Sequence, residues 1–250
     1  MRVLFPVPST GDLPTAVLVT TSGGLVAGDQ VAVLVRVAWS AAAHVTGSAA
    51  EKIYRSTGAM TRVVQRLQIA SGGWMEFLPP ETIVFDRAKL RRTTRIDLQG
   101  DGGFLGGGII VFGRLAMGER FRDGLLHEGW EVYRGGALVW GDVLHVAASP
   151  WGNVAAIMDH PACFAGAQAC ATLVFAPQGG DPHRFIDAAR AVQVASVGDL
   201  RAGVTAINGL LVARWLGDAM PLRRAYAALA CHLRAAAMGL PPLLPRPWHI

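Results

Sequence analysis

Over the first 180 of the chain's 250 residues, apolar side chains recur at every second position in short runs that end at glycine. A period of two puts successive side chains on opposite faces of an extended strand, so a chain of this kind builds sheets. Val31, Val33, Val35 and Val37 alternate with Ala32, Leu34 and Arg36. In Arg62–Ile69 a mostly polar face of Arg62, Val64, Arg66 and Gln68 lies opposite Val63, Leu67 and Ile69. The same pattern predicts strands at Val17–Thr21, Trp74–Leu78, Thr82–Phe85, Arg91–Leu98, Ile109–Phe112, Leu125–Tyr133, Ala137–Val146 and Ala171–Ala176. Gly72-Gly73, Gly102-Gly103 and Gly135-Gly136 supply turns. Many short strands with such turns indicate a large all-β body, sandwich-like or irregularly helix-like. No sequence repeat of roughly 20–50 residues runs through the chain, so neither a propeller nor a regular solenoid is expected.

The C-terminal end changes period. Leu222, Ala225, Tyr226, Leu229, Leu233 and Ala236 recur at helical spacing, with Arg223, Arg224 and Arg234 between them. Pro221 suits a first helical turn, and Gly239 followed by Pro241-Pro242 stops the helix. Phe185–Val192 predicts a second, shorter helix. With no linker or low-complexity tract between the two parts, residues 1–250 are expected to form one mainly β domain with one or two short C-terminal helices.

Composition limits the function classes. Three cysteines (Cys163, Cys170, Cys231) are too few and odd for a disulfide framework and suit a reducing compartment. The first residues carry two prolines and only a short apolar run, unlike a signal peptide. No uninterrupted apolar stretch reaches the ~18 residues of a membrane helix. A soluble cytoplasmic protein with no membrane partner is expected. Hydrophobic residues make up 52% of the chain and charged ones 16%, so part of the apolar surface is expected to cover a protein interface. The net charge of +5 comes from arginine: only Lys52 and Lys89 of the 23 basic residues are lysines. Arginine's fork suits an acidic protein partner as well as a nucleic acid.

Common catalytic templates fail. Thr21–Asp29 is glycine-rich but lacks the Gly-Lys-Ser/Thr ending of a phosphate loop. Gly100–Gly108 does not fit G-x-G-x-x-G. Neither a G-x-S-x-G elbow nor an H-E-x-x-H pair occurs. His160-Pro-Ala-Cys163 has a loosely metal-ligand-like spacing without a second tight pair, so turn-located side chains are the plainer reading.

What remains is a series of segments in a familiar order. Ser22–Asp29, with Gly23, Gly24 and Gly28, resembles the "GGLxGGD" turn of the UreD (UreH) family of urease accessory proteins, with Ala27 at a usual glycine. Thr46–Ser56 is similar to that family's "T-x-x-A-x-K-x-Y-R", placing Tyr54 and Arg55 in a motif. Leu78–Asp86 resembles "LPQETIxF", and Phe112–Phe121, with Arg114 and Glu119, resembles "GRxxxGExF". Leu233-Arg234 and Pro245-Arg246-Pro247-Trp248 are similar to the "LR … PRxW" ending. Relative to the family an N-terminal segment is expected to be missing, and Gly106–Gly108 replaces a stretch that often holds an aromatic and a glutamate.

The resemblance implies a non-enzymatic urease maturation protein that binds the urease apoprotein with UreF and the GTPase UreG and helps insert nickel. It implies no tightly bound cofactor and a transient Ni²⁺ in an internal passage. Asp29, Glu51, Glu81 and Asp86, carboxylates within the motifs quoted, are the passage candidates. Each has a plainer reading. Asp29 closes turn amides; Glu51 and Tyr54 join Lys52 and Arg55 in an ion-pair network. Glu81 and Asp86 bracket an apolar strand, which is costly for carboxylates unless they are paired or wet. The basic run Arg87–Arg95 lacks interleaved aromatics and reads first as a solvated strand edge. Two other classes stay open: a β-scaffold hydrolase using Glu81 and Asp86 as acid and base, and a basic nucleic-acid-binding protein.

Overall fold

The computed structural model describes residues 1–149, 152–197 and 199–249. The chain winds between two sheets in irregular coils. The first coil runs from β1 (Arg2–Leu4) and β2 (Thr15–Val19) in one sheet to β3 (Gln30–Val37) in the other. The second is β4 (Ala42–Gly47) and β5 (Glu51–Ile53), then β6 (Thr61–Ile69). The third is β7 (Trp74–Phe77) and β8 (Thr82–Val84), then β9 (Lys89–Leu98). The fourth passes from β10 (Gly103–Phe112) to β11 (Leu125–Arg134), and β12 (Ala137–Ala147) folds back antiparallel on it. Equivalent strands stack in parallel: β3, β6, β9 and β11 in the five-stranded sheet, β2, β4, β7 and β10 in the ten-stranded one.

The body is thus the irregular helix-like form of the expected β architecture. Partner offsets of 32 residues (Gln30 to Arg62), 29 (Thr61 to Leu90) and 36 (Lys89 to Leu125) explain why no sequence repeat is visible. Stacking in register needs matching alternation, not matching residues.

Beyond the coils, a short helix α1 (Val154–Asp159) precedes β13 (Ala169–Ala176), which pairs antiparallel with β10. After helix α2 (His183–Val197), β14 (Arg201–Ile207) and β15 (Leu210–Gly217) complete the larger sheet, and α3 (Ala219–Met238) covers it. The hairpin β14–β15 departs from the expectation that strands end near residue 180. Its turn is Asn208-Gly209 with φ of 47° and 81°, the doubly positive geometry that matches strand twist. Helix α2 is longer than the predicted Phe185–Val192, and α3 begins at Ala219, two residues before Pro221. Gly239 ends α3 in the left-handed region at φ 64°, as its position in the sequence suggests.

Two apolar clusters lie between the sheets, and a third joins the outer face of the large sheet to the helices. Glycine makes the helical layer fit: a Cβ on Gly107 would meet the Thr172 carbonyl at 2.0 Å and the Tyr226 hydroxyl at 2.9 Å. Tyr226 stacks on Trp248, whose indole N–H donates to the Leu78 carbonyl at 2.6 Å. Under the helix, Arg234 is fully buried and donates to Glu76 (3.1 and 3.2 Å), to Asp12 (2.5 Å), and to the carbonyls of Pro241 and Leu243. His44 Nδ1 lies 2.8 Å from the same Glu76. Burial raises the Glu76 carboxyl, but His44 and Arg234 more than offset it and hold it below the ordinary carboxylate range.

A carboxyl lowered on folding stabilises above its ordinary value near 4.5, and that stability fades as pH falls through the lower folded value. Glu76→Gln strands a buried guanidinium and is expected to cost about 3–5 kcal/mol at pH 7. The gap between Glu76→Gln and wild type should narrow as pH drops below the carboxylate range. Denaturant unfolding of both proteins across pH checks it.

Candidate functional site

A polar strip crosses the inner faces of both sheets. On the smaller sheet β6, β9 and β11 place Val63, Arg92 and Glu128 in one inward row, with Gln65, Thr94 and Trp130 in the next. Arg92 Nε donates to both Glu128 oxygens at 2.7 and 3.0 Å, and an Arg92 Nη donates to Thr82 Oγ1 on the facing sheet at 2.8 Å. Thr94 donates to the Gln65 carbonyl oxygen at 2.8 Å. Burial pushes the Glu128 carboxyl up, with Arg92 pulling against it.

Side chains of this strip do not fill the space, and a succession of cavities follows it. On one side of Arg92 lies a cavity of about 210 Å³, lined by Glu51, Thr20, Gln65, Phe77, Pro80 and Thr82. On the other side of the Arg92–Glu128 pair is a small void of about 30 Å³ bounded by Gly108, Glu128, Trp130, Asp142, Cys170 and Thr172. It shares Asp142, Cys170 and Thr172 with a more open cavity of about 450 Å³ reaching Arg201 and Arg214. Arg214 donates to Asp142 at 2.8 Å there. The Cys170 thiol is pushed up to about 12, first by burial and then by Glu128, so it is a neutral and poor metal ligand at pH 7.

The motif residues gather at one corner of the coils. Leu25 bridges to Ile53, so the glycine turn docks on β5, and a Cβ on Gly24 would meet Tyr54 at 2.6 Å and the Lys52 carbonyl at 2.7 Å. Gly23 and Gly28 take φ of 76° and 87°. The Tyr54 hydroxyl donates to the Gly23 carbonyl at 3.2 Å, and its ring meets Phe85 edge-on at 5.0 Å. Arg114 lies over Phe85 and pairs with Glu119 at 2.7 Å; Glu119 also accepts the Asp86 N–H. Arg55 is exposed.

Of the four carboxylates, Glu51 borders the 210 Å³ cavity, accepting from Thr20 Oγ1 at 2.7 Å rather than joining Lys52 or Arg55. Asp29 accepts the Val26 N–H at 2.9 Å and closes the turn. Glu81 accepts from Arg223 at 3.0 Å, and Arg223 also donates to the Trp248 carbonyl and lies over its ring. Asp86 accepts the N–H groups of Arg122 and Asp123 at 2.8 and 3.0 Å. Glu81 and Asp86 therefore serve separate networks. His160 Nδ1 accepts the Ala162 N–H at 3.1 Å, and Cys163 is exposed beside it. Among the described residues, no group of three or more His, Cys, Asp or Glu is placed to hold a metal ion.

Comparison with known proteins gives the family. The family model described as "UreD urease accessory protein" matches residues 1–249. The chain belongs to the UreD family. It is 42% identical to the urease accessory protein UreD of Magnetococcus marinus, covering all of this chain and 86% of that protein. It is 38% identical to the urease accessory protein UreD 1 of Methylobacterium radiotolerans over 93% of this chain and 77% of that one. The urease accessory protein UreD of Azorhizobium caulinodans is 37% identical over 95% of this chain and 83% of its own length. No helix among the described residues of this UreD chain is long and apolar enough to cross a membrane.

The sequence reading missed the interior set of Arg92, Glu128, Asp142 and Cys170. One signal was present: in β11, Glu128 shares its face with Leu126, Trp130 and Val132, a charge in an inward register. The basic run Arg87–Arg95 also needs correction. Its strand β9 sits between β6 and β11 rather than at an edge, and Arg92 points inward while Arg91 and Arg95 point out. Asp86→Ala in this UreD chain leaves two loop amides without their acceptor and is expected to lower the melting temperature by about 2–4 °C. Glu51→Ala, at a cavity wall, should leave it nearly unchanged. Paired melting curves test the contrast.

Proposed function

We propose that this UreD-family protein is a non-enzymatic, cytoplasmic accessory scaffold for urease. In this reading it joins the urease apoprotein together with UreF and the GTPase UreG, and Ni²⁺ passes through the space between its two sheets. GTP hydrolysis belongs to the partner. Family membership supports the urease connection. The observation that carries the passage is the run of cavities along the polar strip, from Glu51 past the Arg92–Glu128 pair to Asp142.

The chemistry suits transit more than storage. Ni²⁺ accepts carboxylate oxygen and water, and holds thiolate more tightly. Here the acids facing the cavities are spread out, and Glu128 and Asp142 are already paired with arginine. An ion entering must displace a guanidinium from each, which keeps its stay short. Glu51 is placed at the first wall, Glu128 at the constriction and Asp142 at the far cavity. Asp29, Glu81 and Asp86 hold the surrounding turns and the C-terminal segment, and support the passage without lining it.

Gly108 supplies the sharpest test. A Cβ there would sit at ordinary contact from Trp130 (3.6 Å) and Arg92 (3.8 Å), so a larger side chain projects into the small void. In a strain lacking this protein, urease is expected to assemble with little nickel, and the wild-type gene should restore both metal content and activity. Gly108→Leu should restore assembly but several-fold less nickel, with a melting temperature lowered by several degrees through overpacking. Full nickel loading by Gly108→Leu, or in the absence of the protein, would sink the passage.

A further inference from the structure

His127 on β11 and His145 on β12 stand directly opposite each other across the antiparallel pair. Their neighbours Leu126 and Val146 are buried, which fixes both imidazoles on the outer face of the five-stranded sheet. The two Nδ1 atoms are 3.4 Å apart, with ring centroids at 5.5 Å and planes inclined by 68°. This is long for a hydrogen bond to nitrogen, whose usual distance is about 3.0 Å. It matches a metal bite instead. Two nitrogens at roughly 2.0–2.1 Å from one ion lie about 3.3–3.4 Å apart at the tetrahedral angle and about 2.9 Å apart at a right angle.

Arg91 stands in register beside His127 on β9, and its charge works against an incoming cation. The cavities of the proposed passage lie on the opposite face of this sheet, so the pair is separate from them.

We propose that His127 and His145 form a surface chelate for a divalent transition-metal ion, with both Nδ1 atoms as ligands and water in the remaining positions. Only two protein ligands are present, so binding is exchangeable and open to further ligands from solvent or a docked protein. Affinity should follow the usual order for imidazole, with Cu²⁺ ahead of Ni²⁺ and Zn²⁺.

Cu²⁺ titration of the full chain in imidazole-free buffer, read by electron paramagnetic resonance, tests the assignment, with Ni²⁺ binding followed by equilibrium dialysis. The wild type is expected to take up one Cu²⁺ showing hyperfine coupling to two imidazole nitrogens. His127→Gln and His145→Asn should each weaken it by at least about tenfold, since even loss of a group that only orients a ligand costs that much. Both side chains face solvent, so melting curves should be unchanged. Arg91→Gln should tighten binding by removing a repulsive charge. A copper signal that persists in the double His127→Gln, His145→Asn protein, or that weakens in Arg91→Gln, overturns the assignment.

Discussion

One buried guanidinium holds the two halves of this architecture together. Arg234 comes from the last helix, yet its hydrogen bonds reach Asp12 between β1 and β2, Glu76 in β7 and the carbonyls of Pro241 and Leu243 after the helix. A charge of this kind is tolerated in a core only when its donors are met, and here they are spread over elements more than 150 residues apart in sequence. The position is therefore self-selecting: α3 sits on the sheet only in the register that satisfies Arg234. The apolar packing of Leu222, Tyr226, Leu229 and Leu233 supplies most of the attraction, but apolar contact is non-directional and would accept neighbouring registers. The Arg223–Glu81 and Trp248–Leu78 contacts repeat the same device at the far end of the layer.

The interior between the sheets obeys a different constraint. Coils stacked in parallel carry equivalent positions into one row, so a polar residue at one inward position gains a polar neighbour on the next strand. Val63, Arg92 and Glu128 form such a row, and Thr82 answers Arg92 from the opposite sheet. Apolar side chains cannot close over these groups without leaving them unpaired, which costs more than the lost packing. The strip thus separates two apolar clusters, Leu67 and Ile96 in one, Leu90 and Leu126 in the other, and the cavities occupy the seam. Gly108 adds to the opening because it sets no side chain against Trp130.

Strand placement was largely legible in the sequence. The ten strands anticipated from alternation each overlap an observed one, because an inward face of Val, Leu and Ile declares itself at a period of two. The elements that escaped have weak alternation: Arg2–Leu4, Ala42–Gly47 and Glu51–Ile53 are short and mixed, and Val154–Asp159 is a single helical stretch. The hairpin at Asn208-Gly209 did carry its turn signal, which the helical period further on obscured. The site was far less legible. Motif acids such as Asp29 and Asp86 attract notice because they sit at turns, and that is also why loop amides claim them. Glu128 and Asp142 lie within strands, and only the three-dimensional stacking shows that they face one seam. The histidine pair was scattered in sequence, 18 residues apart, and meets only through the β11–β12 register.

Arginine beside each interior acid bears on what such a seam can do. At about 4 Å and an effective dielectric near 20, one unit charge acts on another with roughly 4 kcal/mol. A dication approaching Glu128 or Asp142 gains about twice that attraction from the carboxylate and meets a comparable repulsion from Arg92 or Arg214. A site of bare carboxylates would instead trap the ion, and a wholly apolar bore would exclude it. Pairing leaves the acids available at small net gain, and the neutral Cys170 thiol adds no strong ligand in the same void. The rate of entry at each acid then depends on how readily its guanidinium swings aside. Arg214, half exposed at the outer cavity, moves more freely than Arg92, which is pinned by Thr82 as well as Glu128. In the passage proposed above, the constriction at Arg92 is accordingly the slower step.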